Sequence, residues 1–211
     1  MLPTVVVFAK APVSGFVKTR LIPRVGAEAA CRLHQAFVED TLAALAAFEA
    51  ECLIEVHTDR AWQAWMAEGR TMKLQVEGDL GARMFAALER ALRESKAGAM
   101  ILGSDSPTLP IQHLREMLAS PADVCLGPSL DGGFYAIACR KIAPGMFSGV
   151  TWSTNRTLEQ TIAAVKKAGL TVALGSPWYD VDEGADLDRL AADPALRQAT
   201  AAALRWAGLT R

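Results

Sequence analysis

"TVVVFAKAPVSGFVKTRLIP", residues 4–23, sets how the rest of the chain is read. Thr4 to Ala9 is a β-branched, apolar run with the length of a buried strand. At Lys10 it gives way to a loop bent at Gly15 and rich in cations. Between Lys10 and Arg24 stand Lys10, Lys18, Arg20 and Arg24 with no acid among them, whereas the whole chain has a formal charge of -1. A local positive field in a mildly acidic protein suits a compact anion, phosphate first. It does not suit nucleic acid, whose long run of phosphates needs a basic face.

The loop is not a Walker A motif. Its glycine positions are held by Pro12 and Val17, and no helix is expected to begin at Lys18. A dinucleotide fingerprint fails for want of three spaced glycines. What remains is a backbone bend that brings N–H groups to an oxyanion, with side chains to neutralise several phosphates. A loop of about fifteen residues inside a compact domain is more often functional than accidental.

Outward from this loop the pattern alternates. Ala27 to Ala50 reads as a long helix, Cys52 to Thr58 as a second strand, and Ala61 to Glu68 as a short helix. Met72 to Val76 is a third strand, Leu80 to Ser95 an amphipathic helix striped by Met84, Leu88 and Leu92, and Met100 to Gly103 a fourth strand. Pro110 opens a helix to Leu118 with Thr108 as its expected cap. A strand at Asp123 to Leu126 is joined through "SLDGG" to "FYAIAC", a hairpin signal that makes the sheet mixed. Ser153 or Thr154 is placed to cap a helix to Ala168, and Leu170 to Leu174 is the last strand. Two short helices follow, the second capped by Asp193 with Pro194 in its first turn.

No linker or repeat interrupts this series, so residues 1–211 are expected to form one α/β domain. It should have a mostly parallel sheet with helices on both faces. In such sheets ligands bind at the carboxyl ends of the strands. The polar motifs fall there: Lys10 to Arg24, His57 to Asp59, "GDLGARM" and "GSDSPTLP" each follow a strand.

A composition of 51% hydrophobic and 21% charged residues excludes disorder. Val5 to Ala9 is too short for a signal core and no stretch approaches a membrane span, so a cytoplasmic protein is expected. Cys31, Cys52, Cys125 and Cys139 lie far apart with no zinc spacing, and are expected to be reduced and buried. His34 and His113 read as packing or surface residues; His57, at a strand end, is less easily dismissed.

Asp105 directly follows an apolar strand, where a carboxylate can hold a divalent ion without crossing the core. Mg²⁺ commonly takes one or two carboxylates plus substrate phosphates. The bland alternative is a turn cap with Ser104 and Ser106 as partners. "YDVDEGADL" supplies Asp180, Asp182, Glu183 and Asp186, a cluster whose value lies in pairing with Asp105. Asp79 reads as an N-cap, and Gly81 in that first helical turn hints at a close ligand.

Together, "FAKAPVSGFVKTRL", "GDLGARM", "GSDSPTLP", "GPSLDGGFYAIA" and "YDVDEGADL" resemble a family of small bacterial glycosyltransferase-like proteins. These have a GT-A nucleotide-diphospho-sugar transferase fold, a Rossmann-like three-layer sandwich, and the likeness covers nearly the whole chain. The superfamily is similar to the phospholactate and molybdenum-cofactor guanylyltransferases. The resemblance implies that Ala9, Lys10, Gly15, Lys18, Thr19 and Arg20 hold the nucleotide phosphates, with Gly78 and Gly81 bordering the base or ribose. It implies Asp105 and Asp182 as ligands of Mg²⁺ or Mn²⁺, and Asp131, Gly132, Gly133 and Trp152 as the acceptor side. Related nucleotidyltransferases carry Asp-x-Asp-Thr-Pro where this chain has Asp180-Val181-Asp182-Glu183-Gly184.

The expected activity is metal-dependent nucleotidyl transfer, in which an acceptor phosphate or carboxylate attacks the α-phosphorus of an NTP. Lys18, Arg20 and the ion at Asp105 would stabilise departing pyrophosphate. Glycosyl transfer from a nucleotide sugar to a small acceptor competes with it, as does noncatalytic nucleotide binding. Four cations favour a triphosphate over a diphosphate by a small margin.

Overall fold

The computed structural model describes residues 1–62 and 71–210. Thr4–Ala9 forms β1, and its side chains are buried on both faces of the sheet because helices cover each. The other strands are β2 (Leu53–Thr58), β3 (Thr71–Leu74), β4 (Ala99–Gly103), β5 (Val124–Pro128), β6 (Phe134–Cys139) and β7 (Val172–Leu174). They join in one sheet ordered β3-β2-β1-β4-β6-β5-β7. β1 pairs in parallel with β2 and β4, β2 with β3, and β5 with β7; β6 alone runs antiparallel, to β4 and β5.

The "SLDGG" hairpin produces that reversal. Asp131 Oδ1 accepts from Gly133 N at 2.8 Å, and Ser129 N donates to Gly133 O at 3.0 Å. Gly132 has φ +90°, and a Cβ there would lie 2.1 Å from Asn155 O, so only glycine fits.

A 3₁₀ turn at Thr19–Leu21 precedes the helices α1 (Ile22–Val25), α2 (Ala27–Ala46), α3 (Leu80–Glu94), α4 (Ile111–Ala119), α5 (Thr157–Lys167), α6 (Asp186–Ala191) and α7 (Gln198–Trp206). On one face Val5 and Val7 meet Val38 and Leu42 of α2 and Leu114 of α4. On the other, Val6, Ile101 and Ile137 meet Met84 and Leu88 of α3 and Val165 of α5. A third cluster packs Leu33 and Phe37 of α2 against Leu187, Leu190 and Leu204. Each such fully buried side chain is worth roughly 1.5–3 kcal/mol over leaving it in water. The third cluster brings the C-terminal acidic segment back beside β4: Val181 N donates to Asp105 O at 2.9 Å.

Several boundaries differ from the sequence reading. α2 stops at Ala46 because Phe48 folds in, buried, and its carbonyl accepts from Cys52 N. Thr108 does not cap α4; its hydroxyl meets Tyr179 Oη at 2.9 Å, and the helix follows Pro110 directly. α5 starts at Thr157, whose own hydroxyl donates to Thr154 O. Asp193 instead closes a turn onto Ala195 N, and the first amides of α7 are capped from α2, by Asp40 accepting from Ala199 N and Thr200 N. A helical turn does begin just after Lys18, contrary to expectation. The helix expected at Ala61 to Glu68 lies largely outside the described residues. All four cysteines are free, and Cys52, Cys125 and Cys139 are buried. No helix among the described residues is long and apolar enough to cross a membrane.

Candidate functional site

A cleft of about 480 Å³ opens where β1 and β4 end. Ala9, Lys10, Lys18, Thr19 and Arg20 line it from the first loop, with Asp105 after β4, Asp131 and Gly133 from the hairpin, Trp152, and Asp182 from the C-terminal segment. Of the four segments expected at this edge, Lys10 to Arg24, "GDLGARM" and "GSDSPTLP" contribute lining residues, and His57 to Asp59 does not. Gly15, Gly78, Gly81 and Gly132 are not among the lining residues.

The centre of the cleft is an ion triplet. Lys18 adopts a left-handed backbone (φ 46°, ψ 42°) that turns its side chain inward, and it is only 5% exposed. Its Nζ lies 2.6 Å from Asp105 Oδ1, 2.8 Å from Asp182 Oδ1 and 2.7 Å from Val181 O. An ammonium has three N–H bonds, and all three are used. Burial pulls the Lys18 pKa down, but the two carboxylates outweigh it and leave the ammonium above its ordinary value. Burial pushes Asp105 up, and the Lys18 charge overrides it to hold the carboxyl below the usual range. Asp105 and Asp182 keep 44% and 38% of their side chains open to the cleft.

This pairing alters the count of loop cations. Lys18 is satisfied by carboxylates, and Arg24 forms a fork onto Asp188 while also donating to Gly184 O. Lys10 and Arg20 are exposed and make no ion pair among the described residues. They are the loop's cations left to meet an anion.

Asp180 is a third carboxyl in the cleft. Burial, together with Asp105 and Asp182, pushes it up to about 6 against the hydrogen bond from Ser106. His34, which the sequence placed among packing residues, also reaches the cleft. Its Nε2 lies 2.8 Å from Lys10 O, so that nitrogen carries the proton, and burial lowers the pKa of the ring. Its position one helical turn from Phe37 on the buried face of α2 was the available signal.

Beyond β1 the wall is apolar, formed by Phe8, Leu80, Met84 and Ile101, with Gln75 and Arg83 at its rim. Neither rim residue was named individually from the sequence: Gln75 falls inside the expected third strand and Arg83 inside "GDLGARM", where the glycines and Asp79 carried the reading. His57 is not in the cleft: it stacks behind Phe8 with ring centroids 5.7 Å apart and meets Glu55 at 3.1 Å. The close neighbour that Gly81 accommodates within the fold is Trp152. A Cβ at Gly81 would lie 2.9 Å from Trp152 Cζ2 and 3.1 Å from Phe147 Cβ. Trp152 packs edge-on against Phe134 and Phe147.

The cleft is divided in charge. Lys10, Arg20 and Arg83 line the side near β1, whereas the side formed by β6 and the hairpin carries Asp131, Asp180, Tyr135, Thr154 and Thr157. No lysine or arginine of the described residues lines that second side. For a divalent ion, the donor chemistry fits in part: two carboxylate oxygens converge on one point, as Mg²⁺ uses when phosphates complete its shell. No group of three or more protein ligands is present among the described residues.

A profile described as "Uncharacterized protein conserved in bacteria (DUF2064)" matches residues 33–154. No curated protein matches the chain. A crystal structure of a nucleotide-diphospho-sugar transferase candidate from Desulfovibrio desulfuricans G20 is 29% identical with a TM-score of 0.87, over 98% of this chain and 95% of that one. A CMP:2-keto-3-deoxy-manno-octonic acid synthetase complexed with CTP is 13% identical at TM-score 0.55, over 90% and 96% of the two chains. An inositol-1-phosphate CTP transferase from T. maritima is 12% identical at TM-score 0.55, over 96% of each. The last two share the fold, a mostly parallel mixed sheet layered with helices, as the sequence reading expected.

Proposed function

The chain belongs to the bacterial family DUF2064, and on that premise we propose that it is a nucleotide-dependent transferase. In this reading it moves a nucleotidyl group from a nucleoside triphosphate to a small acceptor with release of pyrophosphate. The observation that carries the reading is the convergence in one cleft of free cations, Lys10 and Arg20, with the paired carboxylates of Asp105 and Asp182. Lys10 and Arg20 meet the polyphosphate, and the apolar wall of Phe8, Leu80 and Met84 takes the base. Asp105 and Asp182 would hold Mg²⁺ or Mn²⁺, whose chemistry is to offset charge on the departing phosphates. The acceptor oxygen attacks the α-phosphorus as the bond to pyrophosphate breaks, and the cleft contributes mainly position and fixed charge. The names of the two CTP-associated structures support a triphosphate donor.

Glycosyl transfer from a nucleotide sugar is the second reading, favoured by two specific observations. Two of the four loop cations are already neutralised, which suits a diphosphate as well as a triphosphate. An incoming acceptor phosphate would also face Asp131 and Asp180 with no lysine or arginine beside them, whereas a hydroxyl would not be repelled. A thermal-shift screen of all NTPs and common nucleotide sugars, each with Mg²⁺ or Mn²⁺, identifies the donor, because a ligand stabilises the fold with its occupancy. Pyrophosphate release then marks the first reaction and nucleoside diphosphate release the second. Saturable binding with neither product would refute both in favour of a binding protein.

A further inference from the structure

We propose that Lys18 is a latch on the ion site: a built-in cation that holds Asp105 and Asp182 and that a divalent ion must displace, so that a polyphosphate, by drawing the ammonium away, strengthens the binding of the ion. The proposal rests on the reading of this cleft as a nucleotide site.

The geometry makes the two cations mutually exclusive. Nζ lies 2.6 and 2.8 Å from one oxygen of each carboxylate. A magnesium ion on the same oxygens would sit about 2.0–2.1 Å from each, which leaves no room for the ammonium and sets like charges almost in contact. The ammonium is also tied to Val181 O at 2.7 Å and lies 5.6 Å from the centre of the Phe37 ring, so it is held from behind as well as in front. Displacing it without another anion would leave a buried, unpaired charge, which is strongly unfavourable.

Phosphate supplies the missing partner. Lysine carries its charge on a flexible four-carbon stem, and Lys18 itself lines the cleft beside Lys10 and Arg20. A polyphosphate held by those two side chains presents oxygens within the same cavity. The carboxylates face that cavity too, 44% and 38% exposed, so an ion arriving with the phosphates approaches them from the open side. Asp105 and Asp182 then exchange one cation for another, and no step leaves a charge unpaired. By reciprocity, whatever factor the nucleotide adds to ion affinity, the ion adds to nucleotide affinity.

The test uses Mn²⁺ alone on the nucleotide-free protein, followed by electron paramagnetic resonance of the free ion. In Lys18→Met the stem is kept and the charge removed, so Mn²⁺ is expected to bind at least about tenfold more tightly than in wild type, a typical coupling factor. Lys18→Met combined with Asp105→Asn should lose that gain. Equal affinity in Lys18→Met and wild type overturns the latch. A second measurement needs no variant: at Mn²⁺ concentrations that saturate the wild type, acetylation of Lys18 read by mass spectrometry should accelerate severalfold. An unchanged rate at saturation overturns the latch as well. Neither measurement contains a nucleotide, so a protein that bound no nucleotide could still show the exchange. A transferase whose lysine and ion did not compete would fail here while the reading above stood.

Discussion

Glu55 is the perturbation with the most calculable outcome. It sits in β2, only 8% exposed, and its carboxylate accepts from Lys73 Nζ at 2.9 Å, from Arg90, and from His57 Nε2 at 3.1 Å. Burial pushes its pKa up, but the hydrogen bonds from His57, Lys73 and Arg90 outweigh burial and bring it from 4.5 down to about 2. A tenfold change in proton affinity is worth about 1.4 kcal/mol, so the ionised carboxylate contributes on the order of 3 kcal/mol. Because the folded pKa is depressed, this contribution is complete above pH 4.5 and is lost as the pH falls toward 2. Glu55→Gln is therefore expected to lower the melting temperature at pH 7 by roughly 6–12 °C, given about 2–4 °C per kcal/mol for a chain of this size. At about pH 3 less than half of the difference should remain. Circular dichroism melts of both proteins across that range provide the assay. A shift below about 2 °C at pH 7, or a gap that does not close on acidification, would refute the reasoning. The consequence extends to the cleft, since His57 in this network is the ring on which Phe8 stacks.

Four further outcomes are expected. Asp105→Asn should keep the fold and lower ion-dependent turnover by on the order of 10²-fold or more, read as product release, because the fixed charge opposite the phosphates is gone; undiminished turnover would remove the ion role. Arg20→Ala should weaken nucleotide affinity by about 1.5 kcal/mol, near tenfold in a titration, the low end for a charged hydrogen bond at an exposed site; an unchanged affinity would move the phosphates elsewhere. Gly81→Ala should destabilise by about 1–3 kcal/mol in urea unfolding despite the better helix propensity of alanine, because the new methyl collides with Trp152 and Phe147. Asp180→Asn should stabilise the protein by up to about 3 kcal/mol above pH 6, with the gain fading as the pH falls from about 6 to below 4, because a carboxyl raised from 3.8 to about 6 holds its proton in the fold where the unfolded chain has released it.

Much of the fold was readable because its signals are local. β1, β4 and the amphipathic α3 follow from apolar runs and a Met84, Leu88 stripe, and the antiparallel β6 follows from Asp131-Gly132-Gly133. The misplaced ends have tertiary causes. Thr108 and Asp193 look like helix caps in sequence, yet both turn to Tyr179, and the cap that α7 needs comes from Asp40 in α2. A capping residue read from sequence competes with every partner the folded chain later supplies, and only the fold decides between them.

The same limit governs the cleft. Asp105 was legible because it follows an apolar strand, Lys18 as one of the cations of the first loop, and Asp182 as a member of an acidic cluster that the resemblance marks as a ligand. Their mutual contact was not, since Lys18 and Asp182 are 164 residues apart. Counting cations in a loop assumes that all of them reach the ligand. A cation whose side chain is buried, as that of Lys18 is, must instead be paired by the protein itself, or the burial cost would exclude it. The C-terminal acidic segment meets that need for Lys18 and, through Asp188, for Arg24. Among the described residues the loop cations that the protein leaves unpaired are Lys10 and Arg20, so the four-cation margin for a triphosphate over a diphosphate narrows. For the two readings proposed above, the discriminating feature is then at the other end of the cleft, where an acceptor phosphate would meet Asp131 and Asp180.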